Sequence, residues 1–138
     1  MQVTVMDPES AIARVAQVVR SLQTAGLPLP GPSACAIPDV GLLGKLPDWV
    51  AHACVLTEGE STWLYCEPGP GAEAGNPDQA LLHLRPGRYL VDTFDTVSRT
   101  CVARESAAGN PLVVGLARAR GPILLWIRQV GAGCQTAP

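Results

Sequence analysis

The stretch Leu81–Thr93, Leu-Leu-His-Leu-Arg-Pro-Gly-Arg-Tyr-Leu-Val-Asp-Thr, constrains the fold of this chain more than any other, and Phe94-Asp95 follows it at once. Two runs of strand-forming side chains flank Pro86-Gly87. Pro presets φ at one turn position and Gly supplies the positive φ of the next, so the spacing predicts a β-hairpin. From Trp49 onward the chain repeats this grammar, with short apolar runs at period two cut by Gly, Pro and charged turns. The expected strands are Trp49–Thr57, Thr62–Glu67, Gln79–Arg85, Arg88–Phe94, Thr100–Arg104, Leu112–Leu116 and Ile123–Val130. About seven short strands with no helical pattern between them predict an antiparallel β-sandwich, paired as consecutive up-and-down ribbons. In Ile123–Val130 both alternating sets are apolar, Ile123/Leu125/Ile127 and Leu124/Trp126. That pattern predicts a central strand covered on both faces, one of them by a helix.

The helix comes from the N-terminal arm. Met1–Met6 reads as a short strand or a loose end, and Asp7-Pro8-Glu9 as a helix start. Asp accepts from free backbone N–H groups, Pro at the first helical position loses nothing, and Glu suits the positive end of the dipole. Ile12, Val15, Val19 and Leu22 form one stripe, Arg14, Gln17 and Arg20 lie elsewhere, and Gly26 is the expected stop, giving a helix over residues 8–25. Pro28, Pro30, Pro32, Pro38 and Pro47 make residues 27–47 an irregular crossing segment, pinned by Leu42, Leu43 and Leu46. The Gly- and Pro-rich stretch Pro68–Asp78 reads as a loose hairpin loop. The expected organisation is a single domain over residues 1–138: helix 8–25, crossing segment 27–47 and sandwich 49–130.

The 138 residues can bury a core without metal or disulfide. With 47% hydrophobic, 16% charged and only 4% aromatic residues, that core must be largely aliphatic. The net charge of −2 hides a split: residues 1–84 carry nine acidic and three basic side chains, residues 85–138 three acidic and seven arginines. Such a split lets the halves attract within one fold or across a dimer. Arg85, Arg88, Arg99, Arg104, Arg118, Arg120 and Arg128 fall on separate strands and turns, so nucleic acid is not expected as a partner. Cys35, Cys54, Cys66, Cys101 and Cys134 contain no CxxC pair and leave one over, which points to buried thiols in a reducing, cytoplasmic setting. A disulfide between neighbouring strands stays open. No basic region followed by an apolar run opens the chain, so neither a signal peptide nor a membrane partner is expected.

The succession Leu82-His83-Leu84-Arg85-Pro86-Gly87-Arg88-Tyr89-Leu90-Val91-Asp92-Thr93-Phe94-Asp95, with a polar turn and a final apolar strand at Ile123–Ile127, resembles the C-terminal β-sandwich domains of TIM-barrel glycoside hydrolases and related collagen-binding-like domains. The Trp49–Tyr65 hairpin and the helix-then-proline lead-in look similar as well. The chain departs from the pattern at Phe94-Asp95-Thr96-Val97-Ser98, which lacks the Pro and Gly of the family's turn. The resemblance covers about residues 8–130, and it implies a fold and a non-catalytic, accessory role beside a barrel that holds the catalytic carboxylates.

Several side-chain sets must be weighed for chemistry. His52 and Cys54 lie two apart on one strand, with His83 on another, and imidazole and thiolate suit zinc. Ordinary structural roles explain the same spacing, and no metal or other cofactor is expected. A Cys–His–Asp hydrolase from Cys54 or Cys101, a histidine and Asp92 or Asp95 lacks the environment that activates a thiolate. Of the paired carboxylates, Glu58/Glu60 sit in a solvated turn, and Asp92/Asp95 suit turn capping. Trp63, Tyr65, Tyr89 and Trp126 are the candidate binding residues, as an aromatic platform for a sugar face, although with so few aromatics the core competes for them. The expected function is a non-catalytic binding or accessory module, carbohydrate-associated or self-associating. Its partners would be a carbohydrate or a protein, a second copy included. The alternative is a small hydrolase or sugar-processing enzyme using His52, His83 and a carboxylate in a cleft.

Overall fold

The computed structural model describes residues 4–5, 7–22, 29–31, 35–36, 44–47, 49–69, 78–84, 87–109, 112–116 and 121–130. The architecture is mainly β, with one helix, α1 (Pro8–Leu22), and ten strands among the described residues. The seven expected strands are all present: β4 (Val50–Glu58), β5 (Ser61–Pro68), β6 (Asp78–Leu82), β7 (Arg88–Asp95), β8 (Thr100–Ala108), β9 (Leu112–Leu116) and β10 (Ile123–Val130). Three two-residue strands join them: β1 (Thr4–Val5), β2 (Cys35–Ala36) and β3 (Gly44–Lys45). The segment 27–47 therefore contributes two short strands as well as irregular chain. Leu46 is buried as expected, while Leu42, Leu43, Gly26, Cys134 and residues 70–77, expected as a loop, lie outside the described residues.

The strands form two sheets. The larger runs β1-β4-β5-β10-β7-β8, with β2 also on the free side of β4; the smaller runs β3-β6-β9. All pairings are antiparallel except β1 with β4, which is parallel. One face of the large sheet shares an aliphatic core with the small one, through Ala53, Val55, Leu64, Val91, Ile123, Leu125 and Ile127 against Ala80, Leu82, Leu112, Val114 and Leu116. Its other face carries Cys54, Leu56, Trp63, Tyr65, Phe94 and Leu124, which pack with Ala11, Val15, Val18, Val19 and Leu22 of α1. Helix, large sheet and small sheet are stacked in that order.

Strand β10 explains this layering. Ile123, Leu124 and Leu125 are all buried, so both faces need cover, and both edges are paired, to β5 and β7. The α1 stripe meets one face because Asp7 starts the helix where expected: the Ser10 amide donates to Asp7 Oδ2 at 3.1 Å. Hydrogen bonding from the Ser10 side chain, followed by that from its amide, holds the Asp7 carboxyl below its usual range.

Two expectations about pairing are corrected. Pro86-Gly87 does not close a hairpin: β6 belongs to the small sheet and β7 to the large one, where β7 is paired to β10 and β8. Ala80 and Leu82 face Tyr89 and Val91 across the core from the opposite sheet, so the connection is a crossing between sheets. Nor do the strands follow one another as simple ribbons. The pairs β4–β5 and β7–β8 are hairpins, but β10 inserts between them and β9 returns to β6. Turn chemistry sets where the chain changes direction; demand for two-sided burial sets which strand joins which sheet.

The two hairpin turns are built as their residues require. Glu58 and Ser61 pair around Gly59-Glu60, and Gly59 has φ 59°, the sign a II′ turn needs at its first position. In the β7–β8 turn the Asp95 carboxylate accepts from the Val97 amide at 2.9 Å, and the Arg99 amide donates to the Asp95 carbonyl at 2.8 Å. Arg99, at φ 60°, takes the left-handed position that a glycine usually fills.

Candidate binding face

Strand register assembles a group of side chains that are far apart in the chain. On the helix-side face of the large sheet, Trp63, Trp126, Asp92 and Arg104 line up across β5, β10, β7 and β8, because Trp126 pairs with both Trp63 and Asp92, and Asp92 with Arg104. The next rung along that face holds Ser61, Arg128, Leu90 and Ser106, and Arg88 follows on β7, opposite Val130. The apolar cover from α1 is centred on Cys54, Leu56, Trp63, Tyr65, Leu124 and Phe94. Beyond it stand an exposed Arg88, an exposed Arg104 and the half-buried Leu90, Trp126 and Arg128.

Asp92 is the pivot of this region. Only 2% exposed, its carboxylate accepts from Arg104 Nε at 2.8 Å and Nη2 at 3.4 Å, and from Arg128 Nη1 at 3.3 Å. A buried carboxylate is tolerable only when paired and hydrogen-bonded, and these two guanidinium groups supply both. The bond to Asp92 also pushes the Arg104 guanidinium further above its already high ordinary range. Arg128 lies over the Trp126 ring, 4.0 Å from its centroid, and the Trp126 indole N–H donates to the Ser61 hydroxyl at 3.3 Å. The arginines are thus fixed through one edge or face each, while 68% of the Arg104 side chain and 26% of that of Arg128 remain open.

A second polar cluster sits where the helix meets the sheet. Arg14 Nη1 donates to Glu67 Oε2 at 2.6 Å and to the Tyr65 hydroxyl at 3.4 Å, and that hydroxyl donates to the same Glu67 oxygen at 2.7 Å. Burial, reinforced by the Glu67 hydrogen bond, raises the Tyr65 phenol well above its ordinary value. This arrangement clamps α1 onto β5 and keeps the phenol neutral.

The chain matches no family model, no curated protein and no solved structure.

The aromatic platform expected from the sequence is corrected. Trp63 and Tyr65, each 1% exposed, lie under α1, and Tyr89, 5% exposed, points into the core between the sheets. The core claimed the rings because each buries a large apolar area. Trp126 alone of the four reaches the surface, and Arg128 occupies one face of its ring. His52 and Cys54 do share the helix-side face of β4, but His83 follows β6 in the other sheet, so the three do not converge. Among the described residues no group of three His, Cys, Asp or Glu side chains could hold a metal ion. Burial pushes the Cys54 thiol up to about 12, which removes it as a nucleophile. Cys54 and Cys66 are buried free thiols, Cys101 is an exposed one, and Cys35 is exposed. Glu58 accepts from the Gly31 amide at 2.9 Å, Glu60 is exposed in its turn, and Asp95 caps the turn after β7.

Sequence reasoning missed the arginine face. Arg88 and Asp92 share a face by their even spacing, as do Trp126 and Arg128, and this much was readable. The pairing of β10 and β8 on either side of β7 was not. The ion pairs Arg104–Asp92 and Arg128–Asp92 fall within the basic half and Arg14–Glu67 within the acidic half, so these pairs do not join the halves. No helix among the described residues is long and apolar enough to cross a membrane.

Proposed function

We propose that the chain is a non-catalytic binding module whose contact surface is the open part of the helix-side face, formed by Arg88, Leu90, Arg104, Trp126 and Arg128, and that it takes a negatively charged polysaccharide. The observation that carries the reading is the Asp92 anchor. A buried carboxylate holds Arg104 by its Nε–Nη2 edge and Arg128 by Nη1, so their remaining N–H groups are presented without the flexibility of an ordinary surface arginine. On a chain of net charge −2, two guanidinium groups on one carboxylate, with Arg88 two rungs further along the same face, form a local basic surface opposed to the overall charge. Guanidinium suits the carboxylate and ester oxyanions of acidic sugars, and the rigid sheet beneath fixes the spacing. The accessory role implied by the resemblance fits the same reading, with charge in place of ring stacking as the means of recognition.

Retention on immobilised dextran sulfate at neutral pH, beside neutral dextran, tests the proposal. The protein should be retained on the sulfated matrix alone and elute with salt, and the triple variant R88A/R104A/R128A should flow through. Flow-through of the parent protein, or equal retention of parent and triple variant, would refute it.

A further inference from the structure

We infer that Arg104 and Arg128 form a discrete subsite for one tetrahedral oxyanion, a sulfate or phosphate ester group, seated over Asp92; this deepens the reading of the same face as the contact surface. Both guanidinium groups approach a single oxygen: Asp92 Oδ2 receives Arg104 Nη2 at 3.4 Å and Arg128 Nη1 at 3.3 Å. Those bonds are long beside the 2.8 Å bond from Arg104 Nε to Oδ1. Two cations converge on one point with one carboxylate between them, and the local charge is left positive. An incoming anion completes the balance.

Geometry selects the class of anion. Arg104 is held through its Nε and Nη2 edge, which leaves Nη1 for a ligand. Arg128 uses Nη1 toward Asp92 and a ring face toward Trp126, which leaves Nε and Nη2. The open donors come from two guanidinium groups on strands β8 and β10, separated by β7. A planar carboxylate matches the fork of one guanidinium at a time, whereas a tetrahedral group offers oxygens in several directions and spans two. Ser61, hydrogen-bonded to the Trp126 indole, holds that ring, and so Arg128, in place.

The test uses inorganic sulfate, inorganic phosphate and acetate on the full chain at matched ionic strength, read by NMR at the arginine Nε–H and Trp126 indole N–H resonances; the latter is assigned with W126F. Sulfate or phosphate should produce saturable shifts at Arg104, Arg128 and Trp126, with acetate weaker by about tenfold. If phosphate is the better fit, its affinity should rise between pH 6 and pH 8 as the dianion forms, while a sulfate site should not respond to pH. The variants R104A and R128A should each weaken the response by about tenfold, and R104K should not restore it. Absence of saturable shifts with both tetrahedral anions, or an unchanged midpoint in R104A and R128A with the amide spectrum intact, would overturn the inference. Retention on dextran sulfate without these shifts would sink the subsite and leave the wider face standing. Shifts without retention would do the reverse.

Discussion

Replacing Leu124 by Ala asks whether the helix really covers the central strand. In a two-layer sandwich the outward face of a strand meets water, and an outward Leu contributes little. Here Leu124 is 0% exposed because α1 lies over it, together with Trp63, Tyr65 and Phe94. Leu→Ala deletes three carbons, about 2.4 kcal/mol at roughly 0.8 kcal/mol per buried methylene. The void left among rings that cannot all relax adds about 1 kcal/mol. The expected loss is therefore about 3–4 kcal/mol, near that of Leu125→Ala, whose side chain is buried in the core between the sheets. Leu90→Ala, half-buried on the same outward face beyond the helix, should cost only about 1 kcal/mol. Urea unfolding followed by far-UV circular dichroism gives the midpoints and slopes, and the Leu124→Ala loss should lower Tm by about 10 °C. If Leu124→Ala were as mild as Leu90→Ala, the helix would not be docked on β10 and the stacking of layers would be wrong.

Removing the phenol oxygen with Tyr65→Phe leaves the Arg14–Glu67 ion pair in place and should cost about 1 kcal/mol in urea unfolding; no loss would mean that the clamp does not tie helix to sheet. Cys54 and Cys66 should resist iodoacetamide in the native protein at pH 8 while Cys35 and Cys101 react, as read by peptide mass mapping. Because burial lifts the folded Cys54 thiol from 9.0 to about 12, the unfolded chain loses that proton first. This contribution to stability is full below about pH 9 and falls as pH rises toward 12, a decline that Cys54→Ala should reduce. Gly59→Ala should destabilise by about 1 kcal/mol through its positive φ alone, since nothing lies within 4 Å of the added Cβ, and Gly59→Asn by less. Equal unfolding midpoints for the two variants would exclude a backbone origin.

Local patterns were legible residue by residue. Asp7-Pro8 placed the helix start, Glu58-Gly59-Glu60 a hairpin turn, and the double apolar alternation of Ile123–Val130 a central strand with a helix over one face. Each depends on chemistry within a few residues, where chain connectivity fixes who the neighbours are. The Pro86-Gly87 connection shows the limit: the same dihedral preferences serve a hairpin or a crossing between sheets, and only competition for the edges of β7, won by β10 and β8, distinguishes them.

What the sequence by itself determined is the helix, the seven longer strands and the mainly β class. Tertiary structure alone decided the proposed binding face. Asp92, Arg104, Arg128 and Trp126 sit on three strands whose order is not their order in the chain, and register across β10, β7 and β8 brings them within hydrogen-bonding range. The same burial that made the fold took Trp63, Tyr65 and Tyr89 into the interior and left charge at the surface. A side chain's type tells what it can do; its solvent exposure and its non-local neighbours, which only packing sets, tell what it is free to do.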